Sequence, residues 1–219
     1  MIVAIDGPAG SGKGTITKLV GKKLDLIYID TGAMYRCVTL ECLNKNVKIE
    51  EIEGLKQILE NIDVQFLSED DEQKVFLNGK DVTLKIRSKE VNEYVSPVST
   101  VKIVRSKMTD LQRKMAVSKD VIMEGRDIGT TVFPNADVKI YLDATPEERA
   151  SRRYKQNLEN GITTGYDEIL ANVKERDYID SHREISPLRK AEDAIYIDST
   201  NMTIEEVVAE IERIILSKR

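Results

Sequence analysis

The sequence holds one histidine, His182, and two cysteines, Cys37 and Cys42. A chain with a single histidine gives no support to imidazole general-base catalysis, and His182 is expected at the surface. The two cysteines share one helical stretch and cannot build a disulfide framework. They are expected as small buried hydrophobes rather than metal ligands, and they suggest a reducing compartment. No run approaches the ~18 consecutive apolar residues of a membrane span, and Asp6 interrupts the apolar run at the N-terminus. A membrane protein and a targeting leader are therefore not expected, and a cytoplasmic location is. There is no basic excess: the formal net charge is −5, which argues against a general nucleic-acid binder. Internal repeats and low-complexity tracts are also missing. Nothing resembles an exposed apolar interface, so a monomer is expected.

What is present is enough apolar material for a core, 41% hydrophobic residues against 32% charged, in 219 residues. That fits one α/β domain with inserts. Short apolar runs rich in β-branched residues mark strands at 2–5, 26–29, 120–123, 138–142 and 194–197. Helical patterns fall at 13–23, 32–44, 97–117, 146–158, 167–180 and 204–217. Thr145 with Pro146 and Glu148 signals a capped start for the fourth of these, and Thr203 with Glu206 does so for the last. Alternating strands and helices predict a five-stranded parallel sheet with helices on both faces. The alternation breaks between Asp63 and Val82, where period-two patterning and Asn78-Gly79 predict a small antiparallel insert. A second break, about 157–166, carries Gly161 and Gly165 between charged helices and reads as a mobile connection.

The stretch DGPAGSGKGTITK, from Asp6 to Lys18, sits between the first strand and the first helix. Its GxxxxGK pattern is a phosphate-binding loop. Gly7, Gly10, Gly12 and Gly14 allow close approach of backbone to phosphate, with Pro8, Ala9 and Ser11 between them. The helix start adds partial positive charge, and Lys13 can bridge terminal phosphates. The usual signature places a hydroxyl directly after the lysine. Here Gly14 intervenes and the hydroxyl arrives at Thr15. No Asn-Lys-x-Asp guanine motif occurs, so a GTPase switch is disfavoured and transfer to a small acceptor is favoured.

Arginines supply a second anion site. DTGAMYR (30–36), EGRDIGT (124–130) and KERDYIDSHR (174–183) lie at strand ends or on helices able to fold over that edge, where open α/β sheets bind ligands. Arg149, Arg152 and Arg153 share one helix face, and Arg176, Asp180 and Arg183 share another. Between 147 and 190 there are nine Lys/Arg and nine Asp/Glu, so these arginines create no bulk positive field. Beside a phosphate loop, two such trios flanking a glycine-bearing segment favour a phosphate-closing lid over a merely salt-bridged surface.

IDGPAGSGKGT, DTGAMYR, the NG-containing insert, EGRDIGTTVFP with its following AD and KIYLDA, ERA.RR and KERD..D..R..SPL together resemble the bacterial cytidylate kinases. These are the CMP/dCMP-phosphorylating branch of the nucleoside monophosphate kinases. The match spans nearly the whole chain as a single P-loop kinase domain, with the monophosphate-binding insert at about 63–95 and the lid at about 149–166. It implies ATP and Mg²⁺, with Thr15 toward the metal and phosphates. It implies that Arg36, Arg105 and Arg126 hold the acceptor, with Thr31 beside them in DTG where some relatives have DSG. It further implies that Ser96, Arg105 and Asp127 read the cytosine edge, and that Arg176 and Asp180 contact the ribose. Arg183 would lie near the base. Lys13, Arg126 and Arg153 would serve the transferred phosphoryl group, with Arg149 and Arg152 weaker candidates. Other small-molecule P-loop kinases (UMP/CMP, thymidylate, shikimate, dephospho-CoA) and a non-enzymatic ATP-binding module are the alternatives.

Overall fold

The computed structural model describes residues 1–69, 72–159 and 161–219. The chain separates into two compact units: Met1–Ile29 with Ala116–Arg219, and Asp30–Met115.

The first unit is built on strands β1 (Ile2–Asp6), β2 (Ile27–Asp30), β6 (Val121–Gly125), β7 (Val138–Asp143) and β8 (Ile195–Asp198). They form one parallel sheet in the order β2-β6-β1-β7-β8. β1 is central, with Ile2 opposite Val121 of β6 and Val3 opposite Val138 of β7. Val3, Ala4 and Ile5 are fully buried, as expected of a strand with neighbours on both sides. Helices α1 (Lys13–Leu24) and α8 (Ile204–Leu216) cover one face. There Ile16, Val20 and Leu24 meet Val3, Ile5, Ile140 and Leu142, together with Val207, Ile211 and Ile215. The Thr203–Glu206 capping box of α8 is fully formed. At α6 (Pro146–Glu159) only half of the expected box forms. The Glu148 amide donates to Thr145 Oγ1 at 3.3 Å, but the Thr145 amide donates to Thr200 Oγ1 and the Glu148 carboxylate accepts from Arg152. α7 (Tyr166–His182) follows 161–165. His182 is exposed and stacks on Tyr178 with ring centroids 4.1 Å apart.

The second unit has its own core. α2 (Thr31–Lys45), α3 (Ile52–Glu60), α4 (Lys89–Thr100) and α5 (Lys102–Met115) pack with an antiparallel sheet of β3 (Val64–Glu69), β4 (Glu72–Leu77) and β5 (Lys80–Asp81). Asn78 and Gly79, at φ 51° and 77°, make the tight turn between β4 and β5. Both are left-handed, which is what a two-residue hairpin loop matched to strand twist needs. Cys37 and Cys42 are buried, and that burial pushes their thiols up to about 12 and about 11, so both stay protonated and unreactive.

Two sequence expectations change here. The single helix at 97–117 is two helices, parted at Val101, whose backbone is extended. The hydroxyls of Ser99 and Thr100 bond back to the carbonyls of Ser96 and Pro97, competing with the next helical turn. α3 was not expected at all. The antiparallel strands end at Asp81, and 85–95 is a 3₁₀ turn followed by the start of α4.

Candidate active site

In the first unit, β1 delivers the phosphate loop to the carboxyl end of the sheet. A side chain at Gly7 would bring its Cβ within 2.0 Å of the Leu142 carbonyl oxygen, so only glycine lets the loop leave β1 against β7. The Lys13 ammonium donates to the Pro8 carbonyl at 2.7 Å and to Ser11 Oγ at 3.3 Å. It is buried, and burial, reinforced by the nearby Arg126 charge, pushes its pKa down to about 7. The amine is thus folded against its own loop. Thr15 is exposed on the first turn of α1.

The departure from the usual signature has a steric cause. A Cβ at Gly14 would sit 3.0 Å from Glu124 Oε1, an oxygen that also accepts from the Tyr28 hydroxyl at 2.5 Å. A serine or threonine here would press on the end of the Glu124 side chain, which would have to give by a few tenths of an ångström. Among the described residues, no group of three His, Cys, Asp or Glu is arranged to hold a metal ion. The oxygen donors at hand, Thr15 and Glu124, are hard ligands of the kind magnesium accepts, too few to hold it without phosphate oxygens.

Three arginines of α6 have different fates. Arg149 is buried. Its Nε donates to the Ala144 carbonyl, its Nη1 to the Ala9 carbonyl at 2.9 Å, and its guanidinium pairs with both Asp177 oxygens. It ties the phosphate loop to α6 and α7. Arg152 donates to the Ser199 carbonyl at 2.7 Å and pairs with Glu148. Arg153 is exposed, and no hydrogen bond or ion pair of its side chain is found among the described residues. A cleft of about 400 Å³ beside Arg149 is lined by Pro8, Tyr141, Asp143, Asp177 and Tyr196.

Past β6, the turn at 125–127 opens a second cluster. Arg126 Nε donates to Asp180 Oδ2 at 2.9 Å. Arg183 lies 3.6 Å from Asp180 and 3.5 Å from Asp127, and its Nε donates to the Ser186 carbonyl. The charges alternate along Arg126, Asp180, Arg183 and Asp127. Burial raises the proton affinity of Asp180, but Arg126, Arg176 and Arg183 outweigh it and hold the carboxyl below the usual range. Asp6, absent from the sequence-based candidates, lies against this turn. Its only signal was an acid at the end of a buried strand.

In the second unit, Asp30 caps α2 by accepting from the Ala33 amide. Thr31 is buried at the first position of α2. Arg36 Nη1 is 3.8 Å from Asp30, while its Nε is buried with no hydrogen-bond partner among the described residues. Arg105 is buried, donates to the Ser99 carbonyl and lies 5.4 Å above the Tyr35 ring. Ser96 is half-buried on α4.

The family model for cytidylate kinase matches residues 3–217. The chain belongs to the cytidylate kinase family. The cytidylate kinase of Fusobacterium nucleatum is 53% identical over 208 residues, 95% of this chain and 94% of that one. That of Lactobacillus johnsonii is 51% identical, over all of this chain and 95% of that one. Among solved structures, shikimate kinase from Bacteroides thetaiotaomicron aligns with 99% of this chain and 98% of its own, at a TM-score of 0.51 and 12% identity. An uncharacterized protein from Eubacterium ventriosum does so at 0.53 and 12%, covering 99% of each. These likenesses carry the P-loop kinase fold; the cytidylate kinase family rests on the sequence matches.

Proposed function

We propose that this chain transfers the γ-phosphoryl group of ATP to the α-phosphate of CMP, and of dCMP, giving ADP and the cytidine diphosphate. The observation that carries this reading is a cytidylate kinase chain in which a lysine-bearing phosphate loop shares one unit with the alternating Arg126–Asp180–Arg183–Asp127 row. A pure ATP sensor would have no use for the second cluster.

The acceptor is a phosphate oxygen. A phosphate monoester has its second pKa near about 6 and is largely dianionic at neutral pH, so no general base is required. Catalysis is then positioning and charge stabilisation of an in-line displacement. Lys13 turns from Pro8 and Ser11 to the donor phosphates. Arg126 and Arg153 meet the charge on the transferred group, Arg153 from a lid formed by the 149–166 segment. Thr15 would help hold magnesium bound with ATP, and the ion would supply further charge neutralisation on the phosphates. The backbone of Gly7, Pro8, Ala9, Gly10, Ser11, Gly12 and Gly14 cradles the donor. Thr31, Arg36 and Arg105 bind the acceptor phosphate, and Arg176 and Asp180 take the ribose. Asp127 accepts from the cytosine amino group, where uracil would present a repelling carbonyl. Ser96 and Arg183 complete base recognition. We place this activity in a cytoplasmic monomer; no helix among the described residues is long and apolar enough to cross a membrane.

The test is ADP release with ATP and magnesium across CMP, dCMP, UMP, AMP, GMP and dTMP. CMP and dCMP should turn over fastest, and Asp127→Ala should narrow the gap between CMP and UMP. Turnover of none of the six rejects the activity; intact CMP/UMP discrimination in the variant rejects the base-reading role.

A further inference from the structure

We propose that Asp6 is a positioning residue for the acceptor side: its carboxylate fixes the turn that carries Arg126 and Asp127 to the strand from which the donor loop springs. The inference rests on the reading above, in which Arg126 meets the phosphoryl group passing to CMP and Asp127 contacts the cytosine.

The geometry is specific. Asp6 is 5% exposed at the last position of β1, directly before Gly7. One carboxylate oxygen accepts from the Ile128 amide at 2.8 Å and the other from the Gly129 amide at 2.7 Å. These two amides open the wide five-residue helical turn Ile128–Val132. The Asp127 carbonyl on the same turn accepts from the Thr131 and Val132 amides. Residues 127–132 are therefore held from both sides, and Asp6 is the side-chain anchor. Both carboxylate oxygens accept from backbone, and the side chain is buried. A buried carboxylate is costly to keep at this place. Burial pushes its pKa up to about 6, with the two amides and the Lys13 charge offsetting part of that and Asp127 adding to it. A strand end that needed only packing would carry an apolar residue, as the rest of β1 does. The gain is registration, because one side chain at the root of the donor loop sets the backbone from which the acceptor contacts hang.

Asp6→Asn keeps the shape but turns an amide NH₂ toward one of the two backbone N–H groups, a donor facing a donor. With folding checked by circular dichroism and the assay run well below the melting temperature, KM for CMP should rise about tenfold or more. Discrimination of CMP from UMP should narrow, and KM for CMP should rise by a clearly larger factor than KM for ATP, because Asp6 also supports the Lys13 charge. An anchor that served only stability would lower the melting temperature and leave all three unchanged in folded protein, and that result overturns the proposal. If Asp6→Asn does not fold, Asp6→Glu decides the matter by keeping the charge while displacing the carboxylate by one methylene against the Ile128 and Gly129 amides, with the same kinetic signature expected. Arg126→Ala run in parallel separates the two levels. If it leaves KM and kcat with CMP unchanged, the acceptor reading fails; if it impairs them while Asp6→Asn, or Asp6→Glu in its place, does not, only the anchoring role fails.

Discussion

Arg149, Arg152 and Arg153 are one residue type on one helical face, and sequence spacing gives no reason to separate them. The structure does, by burial and partners. Arg149 spends its donors on Ala9, Ala144 and Asp177, whereas Arg153 is exposed. Arg149→Ala should therefore be a stability mutant. It strands a carboxylate and removes the donor from two carbonyls, costing on the order of 3 kcal/mol, read as a lower urea midpoint at unchanged m-value. Arg153→Ala should leave the midpoint alone and lower kcat about a hundredfold, with KM for CMP little changed. An unaltered kcat would remove Arg153 from the lid role. The spacing rule could say which residues share a face, but not which of them the neighbouring α7 would occupy, because Asp177 lies 28 residues away in sequence.

At the scale of elements, the strands of the parallel sheet were legible to within about two residues; burial on both faces accounts for this in β1, β6 and β7, while the edge strands β2 and β8 are only partly buried. The small helix α3 was not. Leu55, Ile58 and Leu59 do follow helical spacing and are buried, but the nine-residue element lies in a Glu-rich stretch with no side-chain cap. The break at Val101 was hidden because the apolar period runs on across it. Gly14 shows the converse: the sequence departure was visible, and its cause, Glu124, was not, being 110 residues distant. The first turn of α1 and the end of β6 should thus be energetically coupled. Gly14→Ala pushes Glu124 off the Tyr28 hydroxyl and should cost about 1 kcal/mol or more. Tyr28→Phe removes the same contact from the other side. In thermal melts the double variant should lose clearly less than the sum of the singles; strict additivity would mean the two sites do not meet through Glu124.

At the scale of the whole chain, the two compact units were not legible because no linker marks their junction: β2 ends at Asp30 and α2 begins at Thr31. The motif order was legible across the full length, which is also how far the cytidylate kinase model extends. What no motif conveys is the charge state of the free protein. Lys13 is buried, and its pKa of about 7 lies below the ordinary 10.5. The unfolded chain therefore binds this proton more tightly than the folded one. This group alone makes the free protein gain stability as pH rises between about 7 and 10.5, and below about 7 the full penalty of the buried charge is present. Donor phosphates reverse the balance by rewarding the ammonium. At pH 8.5 the free lysine is mostly neutral and ATP is fully ionised, so binding ATP with magnesium should take up nearly one proton. Titration calorimetry in two buffers of different ionisation enthalpy measures that number directly. It should approach one at pH 8.5 and fall toward zero at pH 6, and over the same range ATP affinity should weaken as pH rises. Equal heats in both buffers at pH 8.5 would mean that the lysine is already charged in the free protein, with its ammonium held against Pro8 and Ser11 at full charge before any nucleotide arrives.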